Sequence, residues 1–202
     1  MLGLAATVPA VMEGVRHPVA WLGTRAPKRT ALMLAREAAA RRAGRPAVTR
    51  QVWVPYERIS PLLRRAVLIA EDDAFFSHGG LDWGEIRASM KRNIESRRIV
   101  RGGSTITQQL ARNLYLGNER TVTRKLKEIA LAGRIERALT KRRIFELYLN
   151  LIEWGDGIFG IEAAAQRHFG VPAAALDARQ SALLAAVIIN PRRYDPTRPN
   201  RR

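Results

Sequence analysis

The 202-residue chain contains no cysteine, which removes a disulfide framework, a thiolate zinc site and a thiol nucleophile. Acids are scarce: 18 Asp and Glu face 35 Lys and Arg, for a formal net charge of +17. Such a chain is expected to meet an anionic partner. Nucleic acid, an anionic membrane surface and a pyrophosphate-bearing substrate all satisfy that demand. Long apolar runs are missing as well. Met1 to Met12 (MLGLAATVPAVM) is broken by Glu13, short of the roughly 20 residues that span a bilayer, and no basic region precedes it as in a secretory signal. It reads as the trailing end of a membrane anchor or, equally, as a frayed N-terminus. Internal repeats are absent, and alternation of period two is rare.

Helical periodicity is what the chain does have. Leu62, Leu63, Ala66, Val67, Ile69 and Ala70 recur at helical spacing after Ser60-Pro61, a proline suited to a first turn, and run into Glu71-Asp72. Thr123 to Leu139 predicts a second long helix with Leu126, Ile129, Ala130 and Ile135 inward. Thr140 is placed to cap the next, KRRIFELYLN, and Asp177-x-x-Gln180 to cap SALLAAVIIN before Pro191 ends it. Gly155, Gly157 and Gly160 mark a turn, and a small-residue helix follows over Ile161 to His168. The one strand signal is QVWVPYERI, where Val52, Val54 and Tyr56 alternate. Gly79 to Gly103 is polar, basic and poor in large apolar residues, so it is expected to be mobile. Before residue 50, Pro18, Pro27 and Pro46 interrupt a basic segment whose good helix former is Ala31 to Ala43. The expected organisation is mainly α: a basic connector over 1–49 with the remnant of a membrane anchor, then one helical domain over 50–202.

Three places carry chemistry. RGGSTITQQLARNLYL, Arg101 to Leu116, joins two glycines, the hydroxyls of Ser104, Thr105 and Thr107, the pair Gln108-Gln109 and Arg112 in one helix-opening segment. Glycines let backbone approach a ligand, and a helix start turns its amides and positive dipole end toward an oxygen-rich anion. Thr105-x-x-Gln108 is equally a capping box, a purely structural device. Glu71 closes an apolar helix, away from water and at the negative end of the dipole, a setting that suits a carboxylate to proton abstraction. Asp72, Phe75 and His78 lie within a few residues to orient or desolvate it. An acidic helix end facing solvent is the plainer alternative. Glu128 is the only acid among Arg120, Arg124, Lys125 and Lys127, and its spacing puts Arg124 and Lys125 on its own helix face. That is either a salt-bridged surface or a cationic platform for phosphate, with one carboxylate for catalysis or a divalent metal. From Arg97 to Arg143, thirteen Lys and Arg stand against Glu119, Glu128 and Glu136, a local charge of +10.

Taken in order, AEDDAFFSHGGLDW, RGGSTITQQLARNLYL, RKLKEIALAGRIERALTKRRIFELYLN and GIFGIEAAAQRHFG resemble the peptidoglycan glycosyltransferase family, in the monofunctional form without a penicillin-binding domain. The resemblance covers roughly Arg50 to Pro196. It implies a lysozyme-like helical glycosyltransferase domain with a small mobile membrane-facing lobe. It also implies Glu71 as catalytic base, in an E-D-x-x-F-x-x-H-x-G motif that reads EDDAFFSHGG, and Glu128 as a second catalytic carboxylate. By the same resemblance Ser104, Thr105, Gln108, Gln109, Arg112, Arg120, Arg124 and Lys125 bind substrate, while Asp72, Phe75, His78 and Asn150 support the site. Arg112 stands where relatives usually carry lysine, exchanging a compact point charge for a planar fork.

The implied reaction is polymerisation of lipid II. The 4-hydroxyl of an incoming lipid II displaces undecaprenyl pyrophosphate from C1 of the growing lipid-linked glycan, with inversion to a β-1,4 linkage. A divalent metal, Mg²⁺ or Mn²⁺, is the implied cofactor with Glu128 as its candidate ligand, and no organic cofactor is expected. The implied partners are lipid II, lipid-linked glycan, an anionic membrane surface and cell-division or penicillin-binding proteins, without nucleic acid. The implied location is the periplasmic face of the inner membrane, through an N-terminal anchor that is incomplete here. The family also carries a further helix beyond the proline-rich turn, which a chain ending at Arg202 is expected to lack. Two other function classes fit parts of the pattern. A lysozyme-like lytic glycosidase uses glutamates but has no need of Arg124 and Lys125. A nucleic-acid binder uses the charge, but no known readout module is present.

Overall fold

A computed structural model describes residues 18–82, 84, 87, 103–116 and 121–198. Seven α-helices lie among them: α1 (Ala31–Arg42), α2 (Pro61–Glu71), α3 (Ile106–Tyr115), α4 (Val122–Ala138), α5 (Lys141–Leu151), α6 (Ile161–Phe169) and α7 (Ala178–Val187). Most start at a side-chain cap. Thr30, Thr105, Thr121, Thr140 and Asp177 each accept the N–H three residues on, a contact worth about 1 kcal/mol per helix. The capping box is reciprocal at Asp177, where the Gln180 side chain answers the cap's own N–H. At Thr105 half the expected box forms, because the Gln108 amide oxygen turns to Lys125.

Three short strands, β1 (Arg50–Gln51), β2 (Glu153–Gly155) and β3 (Ile158–Phe159), pair in the order β1-β3-β2. β1 runs parallel to β3, with Arg50 opposite Ile158, and β2 runs antiparallel to β3, with Glu153 opposite Phe159. Gly160 follows at φ 78°, where a Cβ would come within 2.7 Å of the Asn150 carbonyl oxygen, so only glycine fits. The alternation Val52–Val54–Tyr56 does not continue β1. Asn150 takes that role: its Oδ1 accepts from Val54 N–H and its Nδ2 donates to Val54 O, both at 2.9 Å. A buried side-chain amide thus satisfies backbone that a neighbouring strand would otherwise pair.

The core forms around α3, which packs against α1, α4 and α5, while α2 packs against α7. α3 buries Ile106, Leu110, Ala111 and Leu114, and each large aliphatic so covered contributes about 1.5–3 kcal/mol. α5 buries seven of its residues from Ile144 to Leu151. Leu22 and Met33, from the segment read as a connector, belong to the same core.

Two apolar faces differ from the periodicity. On α2, Leu63 and Val67 point inward, but Leu62 and Ile69 stand out in solvent. On α4, Leu126 is 47% exposed, and the buried row is Glu128, Leu131, Ala132 and Ile135. That row has helical spacing, and it draws a carboxylate inward at the expense of a leucine. None of the described helices is long and apolar enough to cross a membrane.

Candidate active site

Glu71 is the last residue of α2, and the partner it meets comes from α3. Gln109 Nε2 donates to Glu71 Oε2 at 2.8 Å and lies 3.4 Å from Ser104 O, while Gln109 Oε1 accepts from the Tyr148 hydroxyl at 3.0 Å. Tyr148 belongs to α5 and is wholly buried. Burial, seconded by the negative charge of Glu71, pushes its phenol well above the usual tyrosine range, against the pull of Arg112. The hydroxyl therefore keeps its proton and serves as a donor.

The remaining residues of the EDDAFFSHGG motif join the end of α2 to the start of α3. Asp72 Oδ2 accepts from Ile106 N–H at 3.0 Å, the first helical amide of α3. Its Oδ1 lies 2.9 Å from His78 Nε2, and His78 Nδ1 accepts from Gly80 N–H at 3.2 Å. That second contact puts the ring proton on Nε2, facing Asp72. Gly80 O in turn accepts from the Thr105 hydroxyl at 2.8 Å. Gly80 has φ 91°, and a Cβ there would press to 2.8 Å from Glu136 Cγ. Phe75 is fully buried, its ring 5.7 Å from Phe145, with Lys141 Nζ 4.3 Å above it. Asp72, Phe75 and His78 thus fix the geometry between the two helices that carry Glu71 and Gln109.

Glu128 is only 1% exposed and holds both neighbouring cations, Arg124 at 2.5 Å on Oε2 and Lys125 at 2.6 Å on Oε1. Lys125 reaches further, donating to Ser104 Oγ at 2.8 Å and Gln108 Oε1 at 2.7 Å. Its three N–H donors thus match three acceptors on α4, on α3 and on the turn before α3. This face is an anchored cationic platform rather than a loose surface array. Because each Glu128 oxygen already carries a cation, the carboxylate as arranged does not fit the role of divalent-metal ligand. Asp72, His78 and Asp82 bring ligand atoms within 4.8 Å of one another, but both Asp72 oxygens are engaged by His78 and Ile106.

Gln109, Arg112 and Arg124 line one cavity of about 430 Å³, together with Asn113, Arg36, Glu153 and Ile188–Pro191. Sequence reasoning missed Arg36, Glu153 and Tyr148. Arg36 Nε and Nη2 both reach Glu153 Oε2, at 2.9 and 2.8 Å, across 117 residues of chain. Burial raises the Glu153 carboxyl, with Arg36 offsetting part of that, and its Oε1 is buried without a hydrogen-bond partner among the described residues. Asn150 supports the frame through Val54 and Glu146 O rather than touching the cavity. Arg120, Trp83, Gly102, most of the expected mobile lobe and the expected anchor at Met1–Met12 lie outside the described residues.

The transglycosylase family model matches residues 37–202. Relatives named biosynthetic peptidoglycan transglycosylase occur in Nitrosomonas eutropha, 53% identical over 74% of this chain and 62% of the relative, and in Laribacter hongkongensis, 47% identical over 92% of this chain and 81% of the relative. A third, from Thiobacillus denitrificans, is 47% identical over 98% of this chain and 87% of its own length. The family model covers over four-fifths of the sequence and these relatives are about half identical to it: the chain belongs to the transglycosylase family.

Proposed function

We propose that this chain polymerises the glycan strands of peptidoglycan from lipid II, with Glu71 as the base and the α3–α4 cations as the leaving-group site. It is a glycosyltransferase of cell wall synthesis. One observation carries the assignment of roles: Gln109 holds Glu71 with its amide and lines, with Arg112 and Arg124, the adjoining polar cavity. Proton acceptor and anion site are therefore neighbours across a single side chain.

The chemistry follows from that adjacency. The 4-hydroxyl oxygen of lipid II attacks C1 of the lipid-linked glycan, the bond from C1 to the pyrophosphate oxygen breaks, and the hydroxyl proton passes to Glu71. Attack opposite the leaving group turns an α-linked donor into a β-1,4 product. Arg112, Arg124 and Lys125 stabilise charge on the departing undecaprenyl pyrophosphate from positions held before that charge develops. Glu128 fixes two of them.

Peptidoglycan synthesis places the protein in the cell envelope, and its lipid-linked substrate argues for the periplasmic face of the inner membrane. The net charge of +17 suits that surface, since each cation near an anionic leaflet contributes about 1 kcal/mol. Incubation with labelled lipid II is the direct test. The expected product is a lysozyme-sensitive polymer. Absence of polymer, together with hydrolysis of purified sacculi, would overturn the synthetic reading in favour of a lytic one.

A further inference from the structure

Tyr148 is a buried ionisable group that the reaction above does not use, and its surroundings give it a task. We infer that Tyr148 is a positioning residue: its hydroxyl orients the Gln109 amide so that the NH₂ end, and not the oxygen, faces the Glu71 carboxylate. The inference rests on the reading of Glu71 as base and extends it to the group that keeps the base in place.

A glutamine amide has two nearly isosteric orientations, and its partners decide between them. Here one end meets two acceptors, Glu71 Oε2 at 2.8 Å and Ser104 O at 3.4 Å, and the other end meets the Tyr148 hydroxyl at 3.0 Å. Tyr148 is wholly buried on α5, 39 residues along the chain from Gln109. Its phenol is pushed upward by burial and the Glu71 charge, with Asp72 acting the same way and Arg112 opposing. The hydroxyl therefore holds its proton more tightly than an ordinary phenol and stays a donor. Gln109 also borders the cavity that holds Arg112 and Arg124. Without the tyrosine hydroxyl, its oxygen gains more by turning to those guanidinium groups than by staying over a phenyl ring. Glu71 then loses a donor that favours its ionised form, so its proton affinity rises and its orientation loosens.

The test uses the full chain and lipid II, with kcat and KM measured across pH, in Tyr148→Phe and in Gln109→Met, which keeps volume and removes the amide. In both variants the acid limb of the kcat/KM profile is expected to move to higher pH by about half to one unit, a threefold to tenfold change in proton affinity. In Tyr148→Phe, kcat falls severalfold at the plateau while KM stays within about twofold, because Arg112, Arg124 and Lys125 are all retained. The double variant should match Gln109→Met alone, since both lesions break one chain of contacts. A Tyr148→Phe acid limb that superposes on wild type while that of Gln109→Met moves would overturn the role of Tyr148. If neither moves and Glu71→Gln is inactive, the relay is wrong while the base stands. If Glu71→Gln polymerises normally, the base itself is wrong. Should Tyr148→Phe fold poorly by thermal melting, Gln109→Leu joins Gln109→Met as a second removal of the amide, and an acid limb that superposes on wild type in both overturns the relay.

Discussion

The two glutamates of the site differ in the partners described for them. Glu71 is half-buried at a helix end and is held by the neutral amide of Gln109; Glu128 is buried inside a helix face and is held by two cations. A neutral donor steadies a carboxylate while leaving it able to accept a proton. Paired cations neutralise it and are themselves immobilised. The same functional group thus suits the proposed base in one place and holds cations in the other, and partners rather than residue type make the difference.

The difference can be broken at either end. Glu71→Gln keeps an acceptor for Gln109 and removes the base, so turnover should fall by about 10²–10⁴-fold with lipid II binding and melting temperature unchanged. Polymer at wild-type yield would end the assignment. Glu128→Gln keeps the shape but strips the counter-charge from Arg124 and Lys125. Breaking a fully buried pair costs about 3–5 kcal/mol, and with the Lys125 side chain 38% exposed the expected loss is about 2 kcal/mol. Urea denaturation reads that loss, and turnover should drop about 10- to 100-fold as the cations drift. An unchanged denaturation midpoint would show that the pairs contribute nothing net. The smallest effect concerns the caps: Thr121→Ala, at the start of α4, should cost about 1 kcal/mol, and Thr105→Ala should cost more, because the Thr105 hydroxyl also donates to Gly80 O. Equal losses at the two caps would argue that the Gly80 contact is idle.

Much of this was legible in the chain. The helices over Pro61–Glu71 and Ile161–Phe169, the caps at Thr140 and Asp177, and the pairing of Glu128 with Arg124 and Lys125 follow from local spacing, which periodicity and cap chemistry report directly. Leu126 and Ile69 did not follow. Local spacing allows more than one apolar row on a helix, and tertiary packing chose the row containing Glu128. The Val52–Tyr56 strand failed for the same reason at longer range, since the Val54 amide is met by Asn150, 96 residues away, and that of Tyr56 by the Glu146 carboxylate. Tyr148 gave almost no signal in KRRIFELYLN, where it reads as one more inward aromatic. Its only trace is a hydroxyl on a face with no exposed side, which must find a partner. Arg36 and Glu153, paired across the whole domain, left none.

Lys125 carries a final consequence. Its ammonium already satisfies Ser104, Gln108 and Glu128, so an incoming phosphoryl oxygen has to exchange with one of them instead of simply adding. Small monovalent anions offer too little in that trade, whereas a pyrophosphate that also engages Arg112 and Arg124 offers several contacts at once. Under the proposed function, the occupied ammonium thereby favours a polydentate pyrophosphate over the ordinary salts of the envelope.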